Sequence, residues 1–404
     1  MAELHSVEAA QKWALSLIQP LGCERVLLES AFDRVLAEPV VATCDLPPDD
    51  NSAMDGVAVR FSDVVNPPVE LEILGEIAAG RVASVGIEQG QCYRIMTGAA
   101  MPLHADAVVM VEHTEERGEK VAVLRAPKRG EHVRLHGSDV ARGTQVLAPG
   151  TRLGAGEIAM CAALSRVSLP VVRRPFVAIL STGDELCALD EPVTPGKISD
   201  SNSYALATLV RAAGGQPQLH PIVRDQPEAV RAAMLQAQRA DLIVSSGGVS
   251  VGKHDHVKRV LEELGGKIHL WRVAMKPGKP LVLGALRQTP YFGLPGNPAS
   301  AMVSFSLFVR PAIRHALGMS EPFDPLRFAI LTDRLVASGD RRHYLRSQLH
   351  WGQGELKVTP LGNQSSGALS SLVNASGLIV LEPGVHDLAP GTRVQVLPFG
   401  TGAV

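Results

Sequence analysis

Residues 241–264, DLIVSSGGVSVGKHDHVKRVLEEL, restrict the fold of this chain more than any other stretch. DLIVS is a short apolar run rich in β-branched residues, which predicts a buried strand, and the apolar residues of VKRVLEEL recur at the spacing of one helix face. Gly247 and Gly248 lie between the two. A strand end that meets a helix start across glycines directs several backbone N–H groups to one side and suits an anion. The alternative is a tight turn without a ligand.

The same alternation of strands and helices continues on both sides of this stretch. Apolar runs such as FVAILST alternate with helical patterns near 202–213, 227–239 and 256–264, which predicts a mainly parallel sheet with helices on both faces. Such sheets bind ligands at the carboxyl ends of their strands. We therefore expect STGDEL, VRDQ and SSGGVSVGKHD to share one rim. Asn297 as N-cap predicts a further helix from Pro298 to Leu317.

The 404 residues are too many for one hydrophobic core. Short β-like runs separated by polar turns predict a small β domain before the α/β part and a β barrel or sandwich after it. A helix starting after Ser6 and a helical pattern that returns near residue 150 are expected to pack on each other, so that the first β domain is an insertion. The predicted fold is α/β plus β, multidomain, with these parts: a discontinuous linking domain of residues 1–46 and 149–172, an inserted β domain of 47–148, a three-layer α/β domain of 173–320, and a C-terminal β barrel of 321–404.

Composition excludes several classes of function. The formal net charge is −2 and no stretch concentrates Lys or Arg, so neither nucleic acid nor a membrane surface is an expected partner. No apolar run reaches membrane-spanning length, and the first residues lack the pattern of a signal peptide. The five cysteines never form CxxC and are too scattered for a disulfide framework. These features predict a cytoplasmic protein.

Four carboxylates lie at predicted strand ends or turns and not along solvated helices: Asp55 in SAMDG, Glu185 in STGDEL, Asp225 in VRDQ and Asp255 in GKHD. Carboxylates gathered at one rim repel each other, which raises their pKa values unless a cation compensates. A hard cation such as Mg²⁺ bound by carboxylate oxygens is the economical interpretation. Taken singly, each aspartate is more typical of a cap or a turn than of a metal site.

A second group of residues is suited to oxyanions. In MKPGKP, Lys276 and Lys279 stand at the ends of a four-residue turn, where their side chains can converge on one anion or remain solvated. The helix start at Asn297 offers unpaired N–H groups to a ligand, or is a cap alone. Arg346 and Ser366 in the last domain are further donors. No motif for a nucleophilic residue or a phosphate-binding P-loop is present.

These motifs together point to one family. DNSAMDG, IMTGA, STGDEL, DSN, GGVSVGxxD, KPGKP and LPGNPxS, in this order and over essentially the whole chain, closely resemble molybdopterin molybdenumtransferase, the MoeA-type molybdenum insertase related to the C-terminal domain of gephyrin. The resemblance implies a four-domain homodimer whose α/β domain is like the molybdopterin adenylyltransferases. It also implies insertion of molybdate into adenylylated molybdopterin with release of AMP, a requirement for Mg²⁺ or a similar divalent cation, and a molybdopterin adenylyltransferase as a partner.

Matching motifs assign roles to individual residues. The resemblance implies that Asp55 and Thr97 form the β-domain wall of the catalytic cleft. It implies that Glu185, Asp225 and Asp255 act in catalysis and hold the metal ion. Departures from the family pattern at Ser138, Gln226 and Lys253 remove further carboxylates. The remaining implied ligand-binding residues are Ser181, Thr182, Gly183, Ser201, Asn202, Gly247, Gly248, Ser250, Gly252, Lys276, Lys279, Pro295, Gly296, Asn297, Pro298, Arg346 and Ser366.

Two other functions fit parts of the chain. The α/β part alone also fits a molybdopterin adenylyltransferase that uses ATP, but such an enzyme needs neither the 150 residues in front nor the 80 behind. A non-catalytic, gephyrin-like scaffold would anchor partner peptides on the last domain. The absence of a further front domain and of a flexible linker argues against it.

Overall fold

The structure is a computed structural model that describes residues 4–248 and 256–400. Within these ranges the strands form three six-stranded sheets and several two-stranded ribbons. A search of the same residues finds no helix that combines the length and the apolar character needed to cross a bilayer.

The first helix packs on the α/β part of the chain. Ser6 caps it as predicted, since the Ser6 Oγ accepts the N–H of Ala9 at 3.1 Å. The buried face of the helix, with Ala10 and Ala14, joins the core that includes Phe308 and Ile313. The first elements are α1 (Val7–Ser16), β1 (Cys23–Leu27) and β2 (Val40–Val41).

A six-stranded open sheet makes up the small β domain. Its two faces bury separate clusters, because successive side chains along a strand point to opposite sides: Val57 and Val59 enter one cluster and Ala58 the other. The strands are β3 (Asn51–Ser52), β4 (Gly56–Val59), β5 (Val69–Ile77), β6 (Gln91–Ile95), β7 (Ala107–Met110), β8 (Thr114–Arg117), β9 (Lys120–Val123), β10 (Val133–Arg134) and β11 (Gln145–Leu147), with the sheet order β7-β4-β6-β5-β9-β8.

The chain returns from the β domain beside the point where it entered. β11 pairs with β2, and β12 (Ser168–Val172) pairs with β1, both antiparallel. Between them lies α2 (Ala155–Ala163), which packs with Ala31 and Leu36 in a core separate from that of α1. The prediction that the returning helix packs on the first helix is therefore wrong. The apolar face of α1 is instead covered by the long apolar helix that ends the α/β part.

A six-stranded sheet of order β16-β13-β17-β21-β20-β18 organises the α/β part. The first four strands are parallel, and β20 runs antiparallel to both neighbours. Val177 and Ile179 of β13 enter one core, whereas Ala178 and Leu180 enter the other, so helices cover both faces and the domain has three layers. The elements are β13 (Phe176–Ser181), β14 (Leu186–Cys187), β15 (Ile198–Ser199), α3 (Asn202–Ala212), β16 (Gln216–Leu219), α4 (Pro227–Ala237), β17 (Leu242–Ser246), α5 (His256–Glu263), β18 (Lys267–Arg272), β19 (Met275–Lys276), β20 (Pro280–Leu286) and β21 (Thr289–Leu294).

The helix predicted from Pro298 to Leu317 contains an irregular middle. It comprises α6 (Pro298–Ser304), a π-helical segment (Phe305–Val309) and α7 (Arg310–Ala316). The π segment precedes Pro311, which has no N–H to donate to an α-helical hydrogen bond, so the widened turn accommodates the proline. Asn297 precedes the helix, but its side chain makes no capping hydrogen bond.

The last part is a closed five-stranded barrel, in which β24, β25, β22, β28 and β26 follow one another and β26 pairs back with β24. β19 of the α/β part adds to β24 in parallel. The elements are β22 (Arg327–Leu331), β23 (Leu335–Gly339), β24 (Arg342–Gly352), β25 (Glu355–Pro360), α8 (Ser370–Val373), β26 (Gly377–Leu381), β27 (Gly384–Leu388) and β28 (Arg393–Pro398).

Candidate active site

Three parallel strands end side by side at the rim of the α/β sheet. β13, β17 and β21 reach it in register at Ser181, Ser246 and Leu294. The loops that follow them enclose a cavity of about 520 Å³. Carboxyl strand ends are where doubly wound sheets bind ligands. The lining includes these predicted site residues: Ser181, Thr182, Glu185, Ser201, Asn202, Gly296, Asn297 and Pro298.

The glycine turn after β17 brings its backbone against Thr182. Gly247 has φ 91°, and a Cβ at this position would lie 2.5 Å from the carbonyl oxygen of Thr182. A Cβ on Gly248 would lie 2.9 Å from the Thr182 Oγ1. That hydroxyl is buried and has no hydrogen-bond partner among the described residues. The turn therefore requires glycine, and Thr182 offers an unused polar group at the cavity wall.

Asn202 joins the walls of this cavity. Its Nδ2 donates to the Ser246 Oγ at 2.8 Å and to the Gly296 carbonyl oxygen at 2.7 Å. Both N–H groups of the amide are thus directed at the protein, which leaves the amide oxygen as an acceptor for a ligand. Gly183 follows Thr182 directly, and Pro295 follows β21, so both lie beside the cavity without lining it.

Asp200, a buried aspartate that the sequence interpretation did not single out, stabilises the wall of the cavity. Asp200 Oδ1 accepts hydrogen bonds from the Ser203 N–H at 3.1 Å and the Ser181 Oγ at 3.2 Å. Asp200 Oδ2 accepts from the Ser203 Oγ at 2.5 Å. The signal was present, because an aspartate three residues before a serine at a helix start is a capping pattern. Asp200 fixes the end of β13 to the start of α3.

Two of the three predicted metal-binding carboxylates lie on adjacent loops. Thr182 forms a bridge with Val223, which sets the loop of Glu185 beside the loop of Asp225. Burial raises the pKa of Asp225, and the negative charges of Asp184 and Glu185 raise it further. A hydrogen bond and the charge of His256 oppose this only in part, and the remaining repulsion between carboxylates fits a site for a cation.

Asp184 connects these two acidic loops. Its Oδ1 accepts the N–H of Asp225 at 3.2 Å, and its carbonyl oxygen accepts hydrogen bonds from Lys197 and from Arg224, the latter at 3.3 Å. The third predicted ligand, Asp255, lies outside the described residues, as do Ser250 and Gly252. Residues 4–248 and 256–400 by themselves contain no group of three suitable side chains for a metal ion.

The lysine turn lies at the junction between the α/β part and the barrel. Lys276 and Lys279 are both exposed, and Lys276 pairs with His343 of β24 in the parallel ladder. Lys276 and His343 line a second cavity of about 520 Å³ together with barrel residues such as Ser338 and Gln364. Burial lowers the pKa of His343, and the charges of Lys276 and Arg341 lower it further. Lys276 therefore faces a different cavity from the rim loops, and Lys279 lines neither of the two.

Arg346 is buried and not at the surface. It has 0% exposure, and its Nε donates to the Ser371 Oγ at 2.7 Å. One Nη donates to the carbonyl oxygens of Asn363 and Ser365 at 3.1 and 2.9 Å. The other Nη is buried without a partner in the described part of the chain, and burial lowers the pKa of the guanidinium. Arg346 thus holds a loop together and keeps one donor unused.

The loop of residues 363–367 bridges the barrel and the rim cavity. The Ser366 Oγ accepts from the Asn297 Nδ2 at 3.1 Å, and the Ser366 carbonyl oxygen accepts from the Ala299 N–H at 3.0 Å. Gly367 lines the rim cavity. Asn297 therefore docks this loop instead of capping its own helix. The buried guanidinium of Arg346 and the rim cavity are joined by this one loop.

Asp55 and Thr97 lie together, but in the inserted β domain. The Asp55 Oδ1 accepts both the N–H and the Oγ1 of Thr97 at 2.7 Å, and these two hydrogen bonds lower the pKa of Asp55. Neither residue lines either of the two cavities described above. Their predicted role as the wall of a cleft stays a prediction.

Comparisons with known proteins agree along the chain. Residues 5–165 match the MoeA N-terminal region (domain I and II), residues 178–315 a probable molybdopterin binding domain, and residues 329–399 the MoeA C-terminal region (domain IV). The chain is 44% identical to the molybdopterin molybdenumtransferase of Nostoc sp. over 93% of its own length and 88% of the relative. It is 35% identical to that of Bacillus subtilis, over 93% and 89%.

Solved structures share the whole fold. The molybdopterin biosynthesis moeA protein from Pyrococcus horikoshii OT3 matches with a TM-score of 0.86 at 29% identity and covers 98% of this chain and 100% of the other. This confirms the predicted combination of a three-layer α/β domain, an inserted β domain and a C-terminal barrel. The chain therefore belongs to the molybdopterin molybdenumtransferase (MoeA) family.

Proposed function

We propose that this protein is a transferase of molybdenum cofactor biosynthesis that inserts molybdate into adenylylated molybdopterin and releases AMP. The observation that carries this proposal is the loop of residues 363–367. On one side it borders the rim cavity, and on the other it rests on Arg346, a buried cation with an unused donor. One reaction centre can therefore offer a hydrogen-bonding cavity for an organic ligand and cationic donors for oxyanions.

The rim cavity is suited to a heterocycle rich in hydrogen-bonding groups. Its lining carries hydroxyls, two amides, the carboxylates of Glu185 and Asp200, and backbone groups, and no lysine or arginine among the described residues. The unused Thr182 hydroxyl and the Asn202 amide oxygen supply a donor and an acceptor at fixed positions. A pterin presents alternating donors and acceptors of this kind along its edge. We assign the organic part of the substrate to this cavity.

The anionic groups of the reaction belong near the lysine turn and Arg346. Molybdate and the phosphates of the adenylyl linkage are all negatively charged, and Lys276, Lys279 and the unused Nη of Arg346 supply positive charge. Because Arg346 is fixed by Ser371 and two carbonyl oxygens, its remaining donor is held in place before the anion arrives. The insertion needs positioning and charge compensation and no protein nucleophile.

Glu185 and Asp225 would hold the divalent cation, with Asp255 as the third predicted ligand. The residues fit this role, because burial and the neighbouring carboxylates raise the pKa of Asp225 by more than a hydrogen bond and the charge of His256 lower it. A bound Mg²⁺ would stabilise negative charge on the departing phosphate. Asp184 keeps the loops of Glu185 and Asp225 at a fixed separation through its hydrogen bond to the Asp225 N–H.

We also propose that the working form is a cytoplasmic homodimer. Asp55 and Thr97 lie in the inserted domain and line neither cavity of their own chain. In a symmetric dimer the same pair can complete the cleft of the other subunit. The five free cysteines accord with a reducing compartment. A molybdopterin adenylyltransferase is the expected supplier of the adenylylated substrate.

Reconstitution tests the reaction. Purified protein incubated with adenylylated molybdopterin, Mg²⁺ and molybdate should release AMP in step with the appearance of cofactor that activates an apo-molybdoenzyme. Omission of molybdate should stop both. AMP release that ignores molybdate would contradict the insertion step. ATP consumption with bare molybdopterin would instead identify an adenylyltransferase.

A further inference from the structure

A small polar cavity lies in the inserted β domain, between β7 and the loop of residues 124–132. Its volume is about 130 Å³, and His113, Arg125, Glu131 and His132 contribute its polar side chains. At about 30 Å³ per water molecule, this space accommodates one tetrahedral oxyanion and is too small for a nucleotide. None of its lining residues belongs to the rim cavity or to the lysine-turn cavity.

Arg125, whose side chain is exposed, lies at the wall of this cavity. One of its Nη atoms lies 3.3 Å from the Nε2 of His113. Arginine can only donate, so the His113 Nε2 is the acceptor in this contact. The contact with the ring engages one Nη and leaves the other N–H groups of the guanidinium for a ligand. A planar guanidinium binds two oxygens of a phosphate group at once.

His132 and Met110 contribute two further polar groups to the lining of the cavity. His132 lines the cavity with φ 61°, a conformation that costs a non-glycine residue free energy, and its carbonyl oxygen accepts the Ala53 N–H at 2.8 Å. Along β7 the Val108 N–H points outward and donates to the Glu131 carbonyl oxygen at 3.0 Å. Because backbone N–H groups alternate in direction along a strand, the Met110 N–H points outward like that of Val108, toward the cavity.

Glu131 sets the chemical selectivity of the cavity. Its Oε2 accepts the Lys128 N–H at 2.6 Å, and this hydrogen bond, followed by the charges of His132, Lys128 and Arg125, lowers the pKa of Glu131. The carboxylate is therefore ionised at neutral pH and acts only as an acceptor. It repels an oxyanion without protons, such as sulfate or molybdate. It accepts a hydrogen bond from a phosphate that retains an O–H.

We propose that this cavity binds a protonated phosphate group, supplied as inorganic phosphate or as a small phosphate monoester. Arg125 binds two of its oxygens, His132 and the Met110 N–H donate to the others, and Glu131 accepts the phosphate O–H. The exposed cations Lys128 and Arg129 beside the cavity raise the local concentration of anions.

Methionine NMR gives a local readout, because Met110 lines this cavity. The full-length protein is labelled with [methyl-¹³C]methionine, and Met110→Leu identifies its signal among those of the ten methionines. Inorganic phosphate, methyl phosphate, sulfate and molybdate are titrated at constant ionic strength near pH 6.5. We expect a saturable shift of the Met110 signal with phosphate, and at least about tenfold weaker binding of sulfate and molybdate. Comparable binding of methyl phosphate identifies a monoester as the source, and its failure to bind identifies free phosphate.

Two variants test the assignment of groups. Arg125→Gln should weaken phosphate binding at least about tenfold, whereas Arg117→Gln, which changes an exposed arginine of the same sheet, should leave it unchanged. Glu131→Gln should abolish the preference for phosphate over sulfate. The proposal is overturned if phosphate produces no saturable shift, if Arg125→Gln binds like the parent, or if the parent binds sulfate as tightly as phosphate. Should Arg125→Gln fail to fold, Glu131→Gln tests the proposal alone, and a preference for phosphate over sulfate that persists in this variant overturns it.

Discussion

Arg346 is unusual at the scale of a single residue, because it is a fully buried cation whose partners are a hydroxyl and two carbonyl oxygens. Burial of a charge costs free energy unless hydrogen bonds or a counter-charge compensate. The unused Nη and the pKa lowered by burial both indicate that compensation is incomplete. An oxyanion that reached this donor would supply the missing negative charge.

Arg346→Lys should therefore separate function from folding. Lysine keeps the charge but cannot hold Ser371 and both loop carbonyl oxygens at once. We expect AMP release to fall by at least about 100-fold, while the free energy of unfolding drops by only about 1–3 kcal/mol. Urea denaturation and the AMP assay measure the two effects. Arg393→Lys, on the exposed face of the same barrel, serves as the control, and parental turnover in Arg346→Lys would remove Arg346 from the site.

Asp225 makes stability depend on pH in a defined direction. Its folded pKa is raised, mainly by burial, so ionisation destabilises the native state and stability is lost as the pH rises through the folded pKa. Asp225→Asn should thus raise the melting temperature at neutral pH. The gain should vanish below the unfolded pKa of about 3.9, where the parent carboxyl is protonated in both states.

Mg²⁺ supplies the matching control for Asp225. If this carboxylate binds the cation, Mg²⁺ should raise the melting temperature of the parent at neutral pH and have a smaller effect on Asp225→Asn. Thermal scans over a series of pH values, with and without Mg²⁺, measure both dependences. An equal Mg²⁺ response in the two proteins would exclude Asp225 as a ligand.

At the scale of elements, the turn after β17 restricts the choice of residue most strongly, because position 247 requires glycine. An alanine at position 247 would need φ 91° and would place its Cβ 2.5 Å from the Thr182 carbonyl oxygen. Gly247→Ala should lower the free energy of unfolding by about 2–4 kcal/mol. Gly265→Ala is the matched control, because Gly265 also has a positive φ but nothing lies near its Cβ position, and it should lose only about 1 kcal/mol. Equal losses in urea denaturation would mean that close contact with Thr182 is not the reason for glycine.

Local sequence predicted the elements of the α/β part well. The apolar run FVAILST became β13, the capping pattern at Ser6 became the start of α1, and Pro227 stands at the first turn of α4. These signals are contained within one strand or one helical turn, where neighbouring residues determine the conformation. The order of motifs likewise predicted the loops that line the rim cavity, since strand direction places them at one edge.

Contacts between distant segments were not predictable in the same way. Asn297 is of a residue type and at a position typical of an N-cap, yet its side chain donates a hydrogen bond to Ser366 in another domain. Arginine is typical of protein surfaces, yet Arg346 of β24 is buried in the barrel beneath a loop. The prediction that α1 packs on the returning helix α2 was wrong for the same reason. In each case tertiary packing determined which groups are in contact. The periodicity of apolar residues indicates that a face is buried but not which surface covers it.

At the scale of the whole molecule, a shared active site makes a prediction about mixed dimers. Asp55→Ala and Asp225→Ala should each be inactive as purified homodimers. If Asp55 acts on the partner subunit, subunit exchange yields heterodimers with one intact site, and an equimolar mixture should recover about a quarter of the parental AMP release. If Asp55 acts within its own chain, every site in the mixture keeps one defect, and no activity returns. Size-exclusion chromatography before and after exchange verifies the dimers.

The inserted β domain joins the remainder of the chain through very little backbone pairing. β2 and β11 pair through two residue pairs, and Leu46 bridges to Val140 next to them. Entry and exit thus lie side by side and form a narrow double-stranded neck. Such a neck resists extension but offers few contacts that oppose bending, which is the geometry of a hinge. A small rotation about it would swing Asp55 and Thr97 through a long arc while every main sheet stayed intact. If Asp55 and Thr97 complete the cleft of the partner subunit as we propose, the angle of this neck would set access to that cleft.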